Sequence, residues 1–151
     1  MSYDLLVGST SGISVTDLGN AQAEFEANRE AMAAAVSRTI LARPDLEQLV
    51  SADHHEMIAM NHHNHGRFIS ALMLSFEGKE LVDTVLWVLQ TYRAHGFDKS
   101  YWPIELKTWL DIMEKELSTE AFVATRSLYD WMLNSLPSLF QSAETSTEPN
   151  F

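Results

Sequence analysis

From Asn20 to Leu136 the apolar residues recur every three or four positions, and no stretch alternates apolar and polar residues as a half-buried strand would. A chain patterned in this way closes its core only by packing helix on helix, so the expected class is an all-α bundle of about five main helices. The punctuation sets their ends. Asn20 caps a first helix that carries the Ala-rich run Ala31 to Val36 and reaches Leu41, and Pro44 closes it. A short turn over Asp45 to Val50 leads to Ser51 or Asp53, either of which can cap helix two, with Gly78 at its end. Helix three follows from Lys79 to His95 and stops at Gly96. Asp98 or Ser100 caps helix four, which tolerates Pro103 in its first turn and runs to Leu117. Ser118 caps helix five, which reaches Leu136 before Pro137 interrupts it.

Residues 1–19 are rich in Gly, Ser and Thr and read as a flexible arm, residues 20–141 as the helical domain, and residues 142–151 as a disordered tail. With 151 residues, 46% of them hydrophobic, one domain can bury a core without staples. The chain has no cysteine, which excludes disulfides and thiolate-held metals and fits a reducing, cytoplasmic setting. Its net charge of −11 repels phosphate backbones and anionic lipid heads, so neither nucleic acid nor membrane is an expected partner. The start of the chain lacks the pattern of a signal peptide, and nothing approaches a spanning helix.

On helical spacing, helix two aligns Ile58, His62, His65, Ile69, Leu72 and Phe76 on one stripe flanked by His55 and Met73, while His63 points away with Glu56 and Leu74. Helix three buries a broad face from Leu81 to Tyr92 that includes Val85 and Val88. Helix four turns Trp102, Leu106, Trp109 and Met113 inward and leaves Tyr101, Ile104 and Ile112 outside that arc; helix five leaves Val123 and Trp131. These five leftovers suggest a homodimer interface, the competing explanation being an N-terminal arm laid over the same patch.

Two inward histidines on one face invite a metal or haem reading. A di-iron site in a bundle also needs inward carboxylates, typically as Glu-x-x-His, and Glu56 and Glu77 lie off the stripe. That counts against a hemerythrin-like or ferritin-like centre and favours buried, hydrogen-bonded histidines, with a pH response as a further option. The Gly8 to Gly12 segment lacks the lysine of a phosphate loop and reads as linker, and no catalytic constellation or nucleophile elbow is present. The chain therefore reads as no enzyme, with no catalytic and no metal-binding residues assigned.

The segment LQTYRAHGFDKSYWPIEL, Leu89 to Leu106, resembles the junction between the F and G helices of sensor globins: a helix ending in Gly and an apolar residue, a polar break, then an aromatic-rich helix. Helices two and three resemble, in order and length, the non-haem globin domain at the N-terminus of RsbR-type stressosome proteins (RsbT co-antagonists), and the likeness spans roughly Ala52 to Phe140. The resemblance implies a globin-like sensory domain, cytoplasmic and homodimeric, that signals to a regulatory protein partner. Haem-binding sensor globins carry their proximal histidine four residues before that Gly, where this chain has Tyr92, so the resemblance implies no haem. The alternative is haem, another tetrapyrrole or a metal held by Tyr92 with His62 and His65, since tyrosine can ligate ferric haem. The ligand pocket expected between helices two, three and four is walled by His62, His65, Ile69, Leu72, Val88, Tyr92, Trp102 and Leu106.

Overall fold

The computed structural model describes residues 2–145, and the remainder of the expected disordered tail, residues 146–151, lies outside the described residues. Within them the chain is all-helical and has no strand. Seven α-helices run in order: α1 Tyr3–Gly8, α2 Val15–Leu41, α3 Leu46–Leu49, α4 His55–Leu74, α5 Gly78–Ala94, α6 Tyr101–Glu116 and α7 Thr119–Thr145, with 3-10 turns at Ser9–Gly12 and Ala52–His54. The two beyond the expected five are the short α1 and α3.

The flexible arm is corrected. Leu6 is fully buried, with Thr10 and Ile13 nearly so, and burying one leucine supplies roughly 1.5–3 kcal/mol, enough to hold a six-residue helix that could not stand alone. Ser14 then caps α2, its Oγ accepting from Asp17 N at 3.1 Å, so that helix starts at Val15 rather than Asn20. Helix α7 is corrected at its other end, because it passes through Pro137 to Thr145. An interior proline costs about 3 kcal/mol, and the buried Leu139 and Ala143 beyond it offset that cost. Gly78 opens α5 instead of ending α4, which stops at Leu74.

Helix α2 is the central strut and packs on α4, α6 and α7. Its crossing with α4 is close because Gly66 has no side chain: a Cβ there would stand 3.0 Å from Arg29 Cγ and 3.4 Å from Trp109. Helix α5 instead rests on α7 and α1, so α4 and α5 are held by different neighbours.

Of the five residues expected at a dimer interface, Tyr101 and Trp131 are corrected. Tyr101 is fully buried and Trp131 nearly so, the latter because the N-terminal turn covers it and Ser9 Oγ accepts from its Nε1 at 2.8 Å. Ile104 and Ile112 are half-buried against the core, and Val123 alone of the five is well exposed, at 62%. No helix among the described residues is long and apolar enough to cross a membrane.

Candidate functional site

The end of α5 sets the geometry. Gly96 takes φ 75°, which glycine alone adopts without strain, and the chain closes with Phe97 N–H on Tyr92 O at 2.9 Å and Gly96 N–H on Arg93 O at 3.1 Å. This reversal folds Phe97 back until its ring stacks on Tyr92 with centroids 4.5 Å apart. The Gly-Phe pair thereby fixes Tyr92 as the inner corner of a gap between α4 and α5. Tyr101 and Trp102, at the start of α6, pack edge-on to the same tyrosine at 5.6 and 5.9 Å.

Behind Tyr92 lies a residue outside the set expected from helical spacing. Glu105 has no solvent exposure, and its carboxyl faces both inward histidines: Oε1 is 3.6 Å from His62 Nε2 and Oε2 is 3.7 Å from His65 Nδ1. Tyr92 OH donates to Oε1 at 3.3 Å, whereas Oε2 is buried without a hydrogen-bond partner. Each histidine is committed elsewhere. His62 bridges Ser37 Oγ at 2.8 Å and Tyr101 OH at 2.9 Å, and His65 Nε2 pairs with Tyr129 OH at 2.7 Å.

Burial dominates the electrostatics. It pushes Glu105 up to about 8, against weaker lowering by the Tyr92 and Tyr101 hydroxyls. Burial likewise holds His62 down to about 4, with the neighbouring His63 adding to the effect, and His65 down to about 3, with His62 adding to it. Tyr92 and Tyr129 are raised by burial first and by the Glu105 charge second. A protonated carboxyl between neutral imidazoles carries no net charge, which avoids the cost of an ion in an apolar interior. Among the described residues no group of three or more His, Asp and Glu side chains is arranged to hold a metal ion.

The gap between α4 and α5 is a cavity of about 190 Å³, walled by Phe68, Val85, Trp87, Phe97 and Met132 together with polar residues from both helices. Of the eight residues expected in the pocket, His65, Val88, Tyr92 and Trp102 line it. His62, Ile69, Leu72 and Leu106 do not; they are fully buried or nearly so in the core, on the side of α4 and α6 turned toward the rest of the bundle. The expectation also missed Asn61 and Thr91 in the cavity wall. Glu105 was detectable, because it stands three residues after Trp102 and four before Trp109, inside the apolar arc of its helix. Comparison with known protein families, with curated proteins and with solved structures finds no match to this chain.

Proposed function

We propose that this chain is a non-catalytic sensory or regulatory domain of globin-like design, without haem, whose sensing element is the cavity between α4 and α5. One observation carries the reading: the cavity wall contains Tyr92, and Tyr92 is hydrogen-bonded to the buried Glu105 that both inward histidines face. A ligand touching Tyr92 therefore touches a network that reaches α2 through Ser37 and α7 through Tyr129. The globin-like part is supported by the close glycine crossing of α4 on α2 and by α6 and α7 pairing across the short link Leu117 and Ser118, with α5 laid on α7.

Glu105 has the perturbed pKa of a catalytic acid but is enclosed behind Tyr92 and does not line the cavity, so no substrate there reaches it. The haem alternative is weaker on two counts. About 190 Å³ falls below the roughly 300–1,000 Å³ usual for drug-sized ligands, and a tetrapyrrole is larger still. His62 would also have to surrender a buried hydrogen bond to ligate anything. Output to a protein partner or to a second copy of the chain would use the exposed surface around Val123, where the first turns of α7 border the start of α2.

The test is a pair of titrations on the purified chain. A small apolar probe such as toluene is expected to shift the NMR signals of His65, Val88, Tyr92 and Trp102, and hemin is expected to give no Soret band. A Soret band that is lost in Tyr92→Ala would overturn the reading in favour of a haem protein.

A further inference from the structure

The α4–α5 cavity has a chemical preference that its size does not set. Trp102 Nε1, Thr91 Oγ1 and Asn61 Nδ2 are closed off from solvent without a hydrogen-bond partner of ordinary geometry, and all three residues border the cavity, so a ligand meets these atoms only as their side chains turn toward it. Native interiors leave few such atoms, and each left unmatched costs stability that a ligand can return. An indole nitrogen and an amide nitrogen only donate, while a threonine hydroxyl can donate as well. The Asn61 amide lies near enough to the Tyr92 hydroxyl to act on it, and with two N–H groups it still has one to give. The unmet demand is thus for an acceptor.

Charge narrows the class further. No lysine or arginine lines the cavity among the described residues, and the chain carries −11, so a carboxylate ligand would find no permanent counter-ion and a repelling field. An ammonium ligand could lie against the aromatic walls but would leave the donors unmatched. The volume matches apolar cavities of about 150 Å³ that hold one benzene ring.

We infer that the cavity takes an uncharged single-ring or short-chain molecule that presents a carbonyl-type oxygen to Trp102, Thr91 and Asn61. This rests on the cavity being the ligand pocket and names what the pocket selects.

Four probes of nearly equal shape separate the possibilities: acetophenone, its acceptor-free isostere α-methylstyrene, the anion benzoate and the cation benzamidinium. Each is titrated into the full chain labelled with ¹⁵N, and the indole N–H signal of Trp102 is followed. Acetophenone is expected to bind roughly tenfold more tightly than each of the others and to move that signal downfield. Trp102→Phe is expected to remove the advantage over α-methylstyrene while leaving α-methylstyrene itself within about threefold. Should that variant fail to fold, Thr91→Val applies the same test with an isosteric change. Equal binding of acetophenone and α-methylstyrene overturns the acceptor requirement and leaves the pocket standing. Tighter binding of benzoate or benzamidinium overturns the uncharged class. If none of the four moves a signal from a lining residue, the pocket itself is refuted.

Discussion

The Tyr92 hydroxyl donates to Glu105 Oε1 at 3.3 Å, joining a side chain of the cavity wall to a carboxyl with no solvent exposure. This contact is among those that lower the pKa of Glu105 from the height to which burial drives it. Tyr92→Phe keeps the ring on Phe97 and removes the donor, so the Glu105 pKa is expected to rise above about 8. The check is the pH at which the titrating Glu105 carboxyl signal moves by NMR; an unchanged midpoint would show that the two groups are not coupled.

Stability should peak near pH 6.5. Glu105, raised from 4.5 to about 8, contributes fully below 4.5 and loses that contribution as pH rises to about 8. His62 and His65, lowered from 6.5 to about 4 and about 3, contribute fully above 6.5 and lose their share as pH falls toward those values. Two rising contributions outweigh one falling contribution between 4.5 and 6.5, and above 6.5 Glu105 acts alone. Urea unfolding across this range is expected to show the maximum, and Glu105→Gln to abolish the decline above pH 6.5. A wild-type curve that keeps rising to pH 8 contradicts the assignment of the buried proton.

His65 and Tyr129 should behave as one unit, since their 2.7 Å hydrogen bond is buried at both ends. His65→Leu strands the tyrosine hydroxyl and is expected to cost about 2 kcal/mol. Adding Tyr129→Phe removes the stranded group, so the double variant should be less destabilised than the sum of the singles by about 1 kcal/mol. Strict additivity in denaturant titrations would count against the bond.

Gly78 and Thr10 meet too closely for any side chain between them, because a Cβ on Gly78 would fall 1.9 Å from Thr10 Oγ1, itself held on Val7 O at 2.7 Å. Gly78→Ala is expected to lift the N-terminal turn, to cost about 1–3 kcal/mol, and to open residues 3–13 to proteolysis. Thr10→Ala in the same chain should restore part of the loss. Unaltered protease resistance in Gly78→Ala would show that the segment is held elsewhere.

Gly66 tests the crossing of α2 and α4. Leucine at this position cannot fit between Arg29 and Trp109, and Gly66→Leu is expected to cost about 2–3 kcal/mol by thermal unfolding. A variant as stable as the parent would mean that the crossing has more slack than its contact distances indicate.

The long helices were legible because their periodicity and caps agreed, as at Gly96 and Ser118. The N-terminal helix was not, since Gly8 to Gly12 suggested a linker and outweighed the apolar signal of Leu5, Leu6, Val7 and Ile13. Leu139 and Ala143 show why Pro137 misled: local propensity set the stop, and tertiary burial set the outcome. The site was half legible. Helical spacing alone turns His62 and His65 inward, but a lone Glu105 among tryptophans falls outside the Glu-x-x-His pattern that marks an inward carboxylate. The angle of Tyr101 on α6 points it outward, yet it sits in the first turn, where His62 of α4 and Phe97 cover it from outside the helix.

The N-terminal segment is tied to α5 through Tyr3 OH on Asp83 Oδ1 at 2.6 Å and through Thr10 seated against Gly78. Residues 3–13 therefore fasten one wall of the cavity, α5, whose opposite wall, α4, is braced separately by α2. The two walls of the cavity are thus anchored independently, one through the N-terminal segment and α7 and the other through α2.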